Sequence, residues 1–296
     1  MSKPSDSRMT PLLNLELLTL AALWGASFLF MRQAVPEFGP FALIFLRVAI
    51  AGVALLPLLL WRRQGRRMVQ HWRPLLVVGV FNSALPFTLI SYALLSLAAG
   101  MGAILNASAP LWSLLLALLL LGQPASRSSV LGLVAGLAGV IMLVWHKVQM
   151  GEVPWLALLA ALAATLSYAL AALYSKAKLA GVAALVTATG SQLLAALLLF
   201  PLAVAFWPEQ QPSWPAWQAV ILLALGCTAL AYLLYFHLIE AAGAQKAISV
   251  TLLIPLFGML WGAWILDEAI SLSMLIGAGL VLLGTALANG LLRLPR

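Results

Sequence analysis

The sequence predicts an all-α membrane protein in which ten transmembrane helices form two inverted five-helix repeats. Of its 296 residues, 64% are hydrophobic and only 8% are charged. In a soluble chain, roughly a quarter of the residues are charged. The chain also contains ten apolar runs, each near the length of about 20 residues that a bilayer core requires. Finally, it repeats itself at half its length, which is typical of transporters built from a duplicated bundle.

The ten apolar runs are bounded by charged residues, prolines and glycines. They are continuous rather than alternating, which favours helices over the strands of a barrel. The predicted spans are approximately Leu12–Met31, Phe41–Trp61, Pro74–Leu97, Gly100–Leu121, Val130–Trp145, Pro154–Tyr174, Val182–Phe206, Ala216–Ile239, Ala247–Leu266 and Leu272–Leu292.

The internal repeat relates the third, fourth and fifth runs to the eighth, ninth and tenth. Because each copy holds five spans, an odd number, the second copy must enter the membrane from the opposite side. The halves are then inverted, and a substrate site is expected near the midplane between them. The corresponding residues are Tyr92 and Tyr235 at a spacing of 143, and Pro110 and Pro255, Gly132 and Gly277, and Gly139 and Gly284 at a spacing of 145.

Lysine and arginine positions predict the orientation. Thirteen of the sixteen lie on the side of the N-terminus, Arg32 and Lys147 lie on the other side, and Arg47 lies inside a span. This bias puts both termini in the cytoplasm of a bacterial inner membrane. The predicted organisation is a cytoplasmic tail at 1–11, a first repeat at 12–146, a second repeat at 147–292 and a cytoplasmic tail at 293–296.

Several other classes of protein are disfavoured. The net charge of +8 sits in short loops rather than on a face that could follow phosphates, so no nucleic-acid partner is expected. The single cysteine, Cys227, excludes an intrachain disulfide and a cysteine-based metal cluster. An intramembrane enzyme would need a GxGD or HExxH motif, or a serine and a histidine at one depth, and the sequence has none. We expect no enzyme activity, no metal and no cofactor.

Specific motifs resemble the EamA family of the drug/metabolite transporter superfamily. The resemblance covers nearly the whole chain and implies a ten-helix metabolite carrier, similar to bacterial exporters of aromatic and neutral amino acids. Gln123 departs from the pattern, because the family usually has an acidic residue there, as Glu268 is in the second half. The matching segments are the Trp24-Gly25 pair, Arg47, 105–111, Tyr235, 242–244, Ser249–Pro255, Asp267-Glu268 and Gly277 with Gly284.

Three prolines lie inside runs where a helix should continue: Pro86, Pro110 and Pro255. Each removes a backbone hydrogen bond and kinks a helix. A static kink is one interpretation. Because both copies of the repeat keep Pro110 and Pro255, we predict that these two are hinges.

Arg47 is the basic residue that lies well inside a span, where a charge costs about 2.5–3.5 kcal/mol on insertion scales. It should therefore face protein or water. One interpretation makes it a ligand for a substrate carboxylate. The other makes it a structural residue that holds loop carbonyls or pairs with an acid on another helix.

Uncharged polar and aromatic residues are the other candidates for the cavity. Membrane hydroxyls and amides are often satisfied by neighbouring helices, but together these residues indicate a polar, nearly uncharged interior. Asn82 and Tyr92, ten residues apart, should share a helix face. The predicted substrate contacts are Asn82, Tyr92, Asn106, Tyr168 and Tyr235, with Trp24 and Trp112 as aromatic partners.

Several residues have alternative roles. His237 and Glu240, three apart on one helix, form a hypothetical proton-coupling pair, although Glu240 at the loop edge could simply be solvated. Asp267 and Glu268 are expected to start helix ten as turn and N-cap residues. The glycines of helices five and ten are interpreted as packing surfaces.

These features predict a carrier for small, net-neutral metabolites, most simply amino acids with aromatic or other neutral side chains, moved outward by alternating access. The alternative is a proton-coupled exporter of drugs, organic cations or other metabolites with the same fold. The expected partners are a small-molecule substrate and the lipid bilayer. A monomer is sufficient for this mechanism, and a dimer is compatible with it.

Overall fold

Helices make up the regular structure throughout the described residues, which are 10–122, 126–149 and 153–292 of this computed structural model. Eight helices are long and apolar enough to cross a membrane, and one of them, Pro11–Trp61, has 51 residues. At 1.5 Å per residue this helix exceeds twice the bilayer core of about 30 Å. With the shorter apolar helix Leu272–Ala288, the described ranges supply the ten predicted crossings.

Gly39 divides the 51-residue helix into two spans. Its φ of 68° is non-helical and left-handed, a conformation that favours glycine. Pro40 then starts the next span, where its missing N–H is not needed. We number the spans TM1 (11–38), TM2 (40–61), TM3 (Trp72–Ala93), TM4 (Ala99–Leu119), TM5 (Arg127–Trp145), TM6 (Trp155–Lys178), TM7 (Ala184–Ala205), TM8 (Trp214–Ala242), TM9 (Lys246–Ile265) and TM10 (Leu272–Ala288).

TM1 continues seven residues past its predicted end at Met31. The sequence analysis places Arg32 outside the spans, but Arg32 and Glu37 both have partners beside the helix. Arg32 donates to the carbonyl oxygens of Leu94 and Leu95 at the end of TM3, at 2.7 and 3.0 Å. Glu37 accepts hydrogen bonds at the start of TM8. The end of TM1 is therefore set by the non-helical conformation of Gly39 and not by its first charged residue.

Ten crossings place the start of TM1 and the end of TM10 on one side of the bundle. We call this side the terminal face and the other side the opposite face. Between them, the outward-facing surface of the bundle is apolar. Leu119, Leu197 and Trp264 are each at least 70% exposed, which suits contact with lipid.

The equivalent spans of the two repeats run antiparallel. A Cβ added to Gly132, near the start of TM5, would lie 2.7 Å from the carbonyl oxygen of Gly284, near the end of TM10. A Cβ on Gly139, later in TM5, would lie 2.9 Å from the carbonyl oxygen of Gly277, early in TM10. The glycines thus bring the two backbones into contact, as predicted. Their order shows that the repeats are inverted.

Four spans are irregular, three of them near the middle of the bundle and TM9 near the terminal face. TM3 contains a π-helical turn, Val80–Ala84, and TM8 contains a π-helical segment, Leu222–Leu230. TM4 is interrupted at Ala107 and Ser108, and TM9 at Ser249. These irregularities occur in equivalent pairs of spans, and interrupted helices at membrane depth commonly line a transport cavity.

Candidate functional site

A cavity of about 470 Å³ lies between the two repeats. It is lined by TM1 to TM4 of the first repeat and by TM6, TM8, TM9 and TM10 of the second. Arg47, within two turns of the start of TM2 at the opposite face, marks one end. Ile248 and Asn289, at the ends of TM9 and TM10 on the terminal face, mark the other. The cavity therefore extends from inside the bundle to the terminal face.

The lining is apolar and aromatic with uncharged polar groups, and Arg47 is the one charged residue among the described residues that line it. Such a surface can bind a small solute by apolar contact and orient it by a few hydrogen bonds. Within the described ranges, no cluster of histidine, cysteine or acidic side chains is placed to hold a metal ion. The uncharged polar side chains of the lining are Ser27, Asn82, Asn106, Ser113, Tyr168, Thr228, Tyr232, Tyr235, Thr251 and Asn289.

Arg47 is 4% exposed and is held from three sides. Its Nε donates to Thr228 Oγ1 at 3.1 Å, and its Nη1 lies 3.4 Å from Met31 Sδ. The guanidinium carbon lies 3.6 Å from the centroid of the Phe87 ring, a cation–π contact. The structural interpretation expected loop carbonyls or an acid as partners, whereas the partners are a hydroxyl, a thioether and a ring.

The charge of Arg47 is not neutralised by its surroundings. The titratable groups that act on it are Tyr168, Cys227 and Tyr232, which are neutral at physiological pH. No carboxylate of the described residues pairs with it. An unpaired buried cation costs several kcal/mol. The geometry thus leaves a positive site at the cavity wall that is suited to an anionic group.

Most of the predicted contact residues meet in this cavity. Asn82, Asn106, Tyr168 and Tyr235 all line it. Trp24 lines it as well and lies against Tyr235, with ring centroids 5.2 Å apart. The amide oxygen of Asn106 is buried without a hydrogen-bond partner. A polar ligand group could satisfy this amide, because an unpaired buried acceptor is unfavourable.

Tyr92 and Trp112 do not line the cavity, so their predicted place in it is wrong. Tyr92 is 42% exposed near the end of TM3. The expectation that it shares a face with Asn82 assumed 100° per residue, but Asn82 lies within the π-helical turn Val80–Ala84, which changes the register of the helix. Trp112, for its part, is partly buried outside the lining.

Sequence reasoning missed the contribution of Gln192. This fully buried side chain donates from Nε2 to Ser83 Oγ at 3.1 Å and to the Tyr232 hydroxyl at 3.4 Å. It lies 145 residues after Arg47, the same spacing as the repeat. Arg47 of TM2 holds the π-helical segment of TM8, and Gln192 of TM7 holds that of TM3. The repeat spacing could therefore have identified Gln192.

Pro86 explains the π-helical turn of TM3. The Leu85 N–H bonds to the carbonyl of Val80, five residues back. The next bond of this type would join residue 86 to Phe81, but proline has no N–H. The Ser167 hydroxyl of TM6 donates to the Phe81 carbonyl instead, at 2.7 Å. A neighbouring span thus satisfies the freed carbonyl, as membrane depth requires.

The two predicted hinge prolines differ in their surroundings. Pro110 lines the cavity and follows the interruption of TM4, where the Thr285 hydroxyl donates to the Ala107 carbonyl at 2.9 Å. Pro255, in contrast, lies inside the continuous helix Val250–Ile265, and the interruption of TM9 is earlier, at Ser249. The equivalence of the two prolines therefore does not extend to the place where each span breaks.

His237 and Glu240 do not form a pair. The Nδ1 atom of His237 lies 2.8 Å from Glu16 Oε2 on TM1, and the His237 side chain is 56% exposed. Glu240 is exposed to solvent. Neither residue lines the cavity. Helical spacing alone suggested the pair, whereas the packing of TM1 on TM8 gives His237 a different partner.

Glu268 caps a different helix from the one predicted. Its Oε1 accepts from the Ala99 N–H at 2.8 Å and its Oε2 from the Gly100 N–H at 3.4 Å, so it stabilises the start of TM4. The N-cap of TM10 is Ser271 instead. Gln123, the residue at the equivalent position of the first repeat, lies outside the described residues.

Hydrogen bonds between the repeats close the opposite face. Glu268 of the second repeat binds TM4 of the first, and Glu37 of the first repeat accepts from the Ser213 N–H at 2.5 Å and from its hydroxyl at 2.8 Å in the second. TM4 and TM9 also touch at this end, since a Cβ on Gly258 would lie 2.5 Å from that of Ala103. The cavity thus reaches one face while the other is closed.

The sequence is similar to several bacterial proteins over most of its length. The chain is 27% identical to the uncharacterized transporter YvbV of Bacillus subtilis, over 91% of its length and 89% of that protein. It is 28% identical to protein PecM of Dickeya dadantii, covering 86% and 84% of the two chains. It is 27% identical to the uncharacterized inner membrane transporter YedA of Escherichia coli, covering 92% and 89%.

A solved structure and a family model also match this chain. One solved crystal structure matches with a TM-score of 0.66 at 23% identity, covering 94% of this chain and 96% of that one, which shows a shared fold. The model of the EamA-like transporter family matches residues 13–145 and 155–290, one match for each repeat. The chain is therefore a multi-pass membrane transporter rather than an enzyme, and it belongs to the EamA-like transporter family.

Proposed function

We propose that this transporter moves small, net-neutral metabolites that carry a carboxylate, most simply amino acids with aromatic or other neutral side chains. The observation that carries the proposal is the buried charge of Arg47, which has no acidic partner among the described residues of the cavity wall. A zwitterion would neutralise this charge through its carboxylate. A phosphorylated solute would require several basic residues, and the lining has one.

Each predicted contact that lines the cavity has a role in this proposal. Arg47 binds the carboxylate, and the amide oxygen of Asn106 accepts from the ammonium group. Asn82 and Tyr168 contribute further hydrogen bonds. Trp24 and Tyr235, whose rings lie against each other, contact the apolar or aromatic side chain of the solute. Pro110 and Pro255 remain the proposed hinges.

Transport by alternating access is supported by a difference between equivalent residue pairs. Ala103 and Gly258 are in close contact near the opposite face. Their counterparts at a spacing of 145 residues, Ile248 and Ser113, both line the open cavity near the terminal face. The inverted repeats thus have different conformations, and exchanging them would open the other face.

The direction of transport follows from the orientation. Five arginines of segment 62–73 are exposed at the terminal face, and basic loops favour the cytoplasm. We infer that both termini are cytoplasmic, in a bacterial inner membrane. The cavity then loads from the cytoplasm, in line with export.

The second candidate is an exporter of organic cations, which the aromatic rings of the cavity would favour. Counterflow in proteoliposomes separates the two. Labelled phenylalanine and phenethylamine share a side chain, but only phenylalanine has a carboxylate. Flux of phenylalanine or another neutral amino acid, without flux of the matching amine, supports the proposal. Flux of the amine alone, or no flux of any neutral amino acid, contradicts it.

A further inference from the structure

The loop between TM2 and TM3 concentrates positive charge at the terminal face. Residues 62–73 hold five arginines, all exposed, and no acidic residue. The acidic residues that flank this segment in the sequence are as distant as Glu37 and Glu152. Among the described residues, none of the five arginines pairs with a carboxylate. We call residues 62–73 the basic loop, and its arginines are Arg62, Arg63, Arg66, Arg67 and Arg73.

A short helix, Gly65–Gln70, holds the basic loop against the bundle. Its Met68 side chain packs on TM7, because a Cβ added to Gly190 would lie 3.1 Å from Met68 Cγ. Gly190 lies about 9 Å inside the start of TM7 along the helix axis. Arg66 and Arg67 of the same short helix are exposed. The helix therefore lies where TM7 leaves the membrane, at the level of the lipid headgroups.

Tryptophans flank the basic loop at both ends. Trp61 ends TM2 and is 79% exposed, and Trp72 starts TM3 and is 49% exposed. Exposed tryptophans at span ends favour the boundary between headgroups and acyl chains. The guanidinium carbon of Arg73 lies 5.4 Å from the centroid of the Trp72 ring. Cationic groups beside interfacial rings suit a ligand that has an anionic head and an apolar chain.

The turn that starts the basic loop carries an arginine where the backbone favours glycine. Arg63 has a φ of 55°. Its N–H bonds to the Leu60 carbonyl at 2.9 Å, and the Gln64 N–H bonds to the Leu59 carbonyl at 3.1 Å, which is a Schellman turn. Glycine adopts this conformation at the lowest cost. Orientation in the membrane requires basic loops but no arginine at this position, so neither the turn nor the topology explains Arg63.

We propose that the basic loop is a binding site for an anionic phospholipid. The arginines bind the phosphate group, since a guanidinium group can donate two parallel hydrogen bonds to phosphate oxygens. The acyl chains lie beside Trp61 and Trp72. Clusters of four to eight basic residues next to a membrane span recognise anionic lipids in this way. The site does not depend on which solute the transporter moves.

A reporter on the basic loop measures which lipid binds there. Val69 of the short helix is 67% exposed, so Val69→Cys in a Cys227→Ser background accepts a fluorophore at the site. The labelled full-length protein is reconstituted in phosphatidylcholine bilayers with a fraction of lipid that carries a nitroxide quencher near its headgroup. Half-maximal quenching should need a roughly tenfold lower mole fraction of quencher-labelled phosphatidylglycerol, which is anionic, than of quencher-labelled phosphatidylcholine. Equal quenching by both lipids overturns the proposal.

Matched charge substitutions separate a local site from the overall charge of the terminal face. Arg66→Gln and Arg67→Gln each remove one exposed charge from the short helix. Arg127→Gln removes one exposed charge at the start of TM5, which packs on TM10 and TM4 away from the basic loop. Each loop variant should weaken the preference for phosphatidylglycerol about fivefold, and Arg127→Gln should change it less than twofold. Equal effects of all three would overturn the site.

Arg63→Gly separates lipid binding from folding. Because glycine is favoured at this φ, the variant should raise the midpoint of thermal unfolding in a neutral detergent. It should also weaken the preference for phosphatidylglycerol about fivefold. A lower midpoint with an unchanged preference would make Arg63 a structural residue and contradict its place in the site.

Inorganic phosphate distinguishes a lipid site from a site for soluble anions. Added at constant ionic strength, it should leave quenching by phosphatidylglycerol unchanged, because it has no acyl chain to bring it to the headgroup level. Loss of that quenching would assign the basic loop to a soluble anion and overturn the proposal. None of these measurements involves a transported solute, so failure of the proposed substrates would leave their outcome unaffected.

Discussion

Arg47 brings a positive charge into the membrane with a hydroxyl, a thioether and a ring as partners. Because a buried charge without a counterion is costly, replacing Arg47 by an apolar residue of similar size should not reduce stability. If Arg47 serves the substrate rather than the fold, its removal should separate function from stability. A structural arginine would be needed for both.

The first prediction is therefore a stability–activity split at Arg47. Arg47→Met should keep or raise the midpoint of thermal unfolding while it weakens the apparent substrate affinity at least tenfold, because the carboxylate loses its partner. Arg47→Lys should retain part of the affinity, since it keeps the charge without the planar fork. Thermal unfolding and concentration-dependent counterflow measure the two effects. Loss of stability in Arg47→Met with normal affinity would assign Arg47 to the fold.

The sequence predicted the positions of some residues in the structure better than those of others. Asn82, Asn106, Tyr168 and Trp24 line the cavity, and the sequence singles them out because polar groups in apolar runs tend to face the protein interior. Tyr92 was misplaced because a π-helical turn, which no simple sequence period reveals, altered its register. His237 was paired by spacing along one helix, whereas its partner Glu16 comes from another.

At the level of elements, irregular helices depend on side chains of neighbouring spans. The Ser167 hydroxyl replaces the N–H that Pro86 lacks at the Phe81 carbonyl. We predict that Ser167→Ala destabilises the protein by about 1 kcal/mol, the usual scale for hydrogen bonds between membrane helices. Reversible denaturation in mixed micelles measures this. In a Pro86→Ala background the same substitution should cost less, because residue 86 regains a donor; an equal cost would contradict this explanation of the turn.

The glycines of TM10 offer a matched pair. A Cβ on Gly284 would lie 2.5 Å from the Gly132 carbonyl oxygen of TM5, whereas a Cβ on Gly279 meets no atom within 4 Å. Gly284→Ala should therefore destabilise the protein by about 1–3 kcal/mol. Gly279→Ala should be neutral or stabilising by up to about 1 kcal/mol, since alanine favours the helix. The same denaturation assay compares them, and equal effects would show that TM5 and TM10 do not depend on this contact.

The partners of helix ends were less predictable than the helices. Glu268 was expected to start TM10 because it precedes that helix in sequence, but it caps TM4 of the other repeat. Likewise, Glu37 reaches Ser213 across 176 residues. The local sequence shows which residue is of a type that caps helices. Which helix it caps depends on how the repeats pack.

For the whole molecule, the repeat predicted most of the architecture. The spacing of 145 residues and the odd number of spans implied inversion, and the antiparallel contacts of TM5 with TM10 confirm it. The sequence could not indicate which face is closed, because both conformations use the same residues. Only the three-dimensional arrangement shows that Ala103 and Gly258 touch while Ile248 and Ser113 line an open cavity.

The central claim is that these two pairs close in turn, and disulfide trapping tests it most directly. In a Cys227→Ser background, one variant carries Ala103→Cys with Gly258→Cys, and the other carries Ser113→Cys with Ile248→Cys. The first pair should cross-link in the resting protein, and the second only after the conformation changes, because a disulfide requires Cα atoms within about 7 Å.

The account predicts that either cross-link stops counterflow and that reduction restores it, since each disulfide holds one face closed. Oxidation should leave the counterflow of each single-cysteine variant at that variant's own rate before oxidation. Continued counterflow with either disulfide fully formed would contradict alternating access between the inverted repeats.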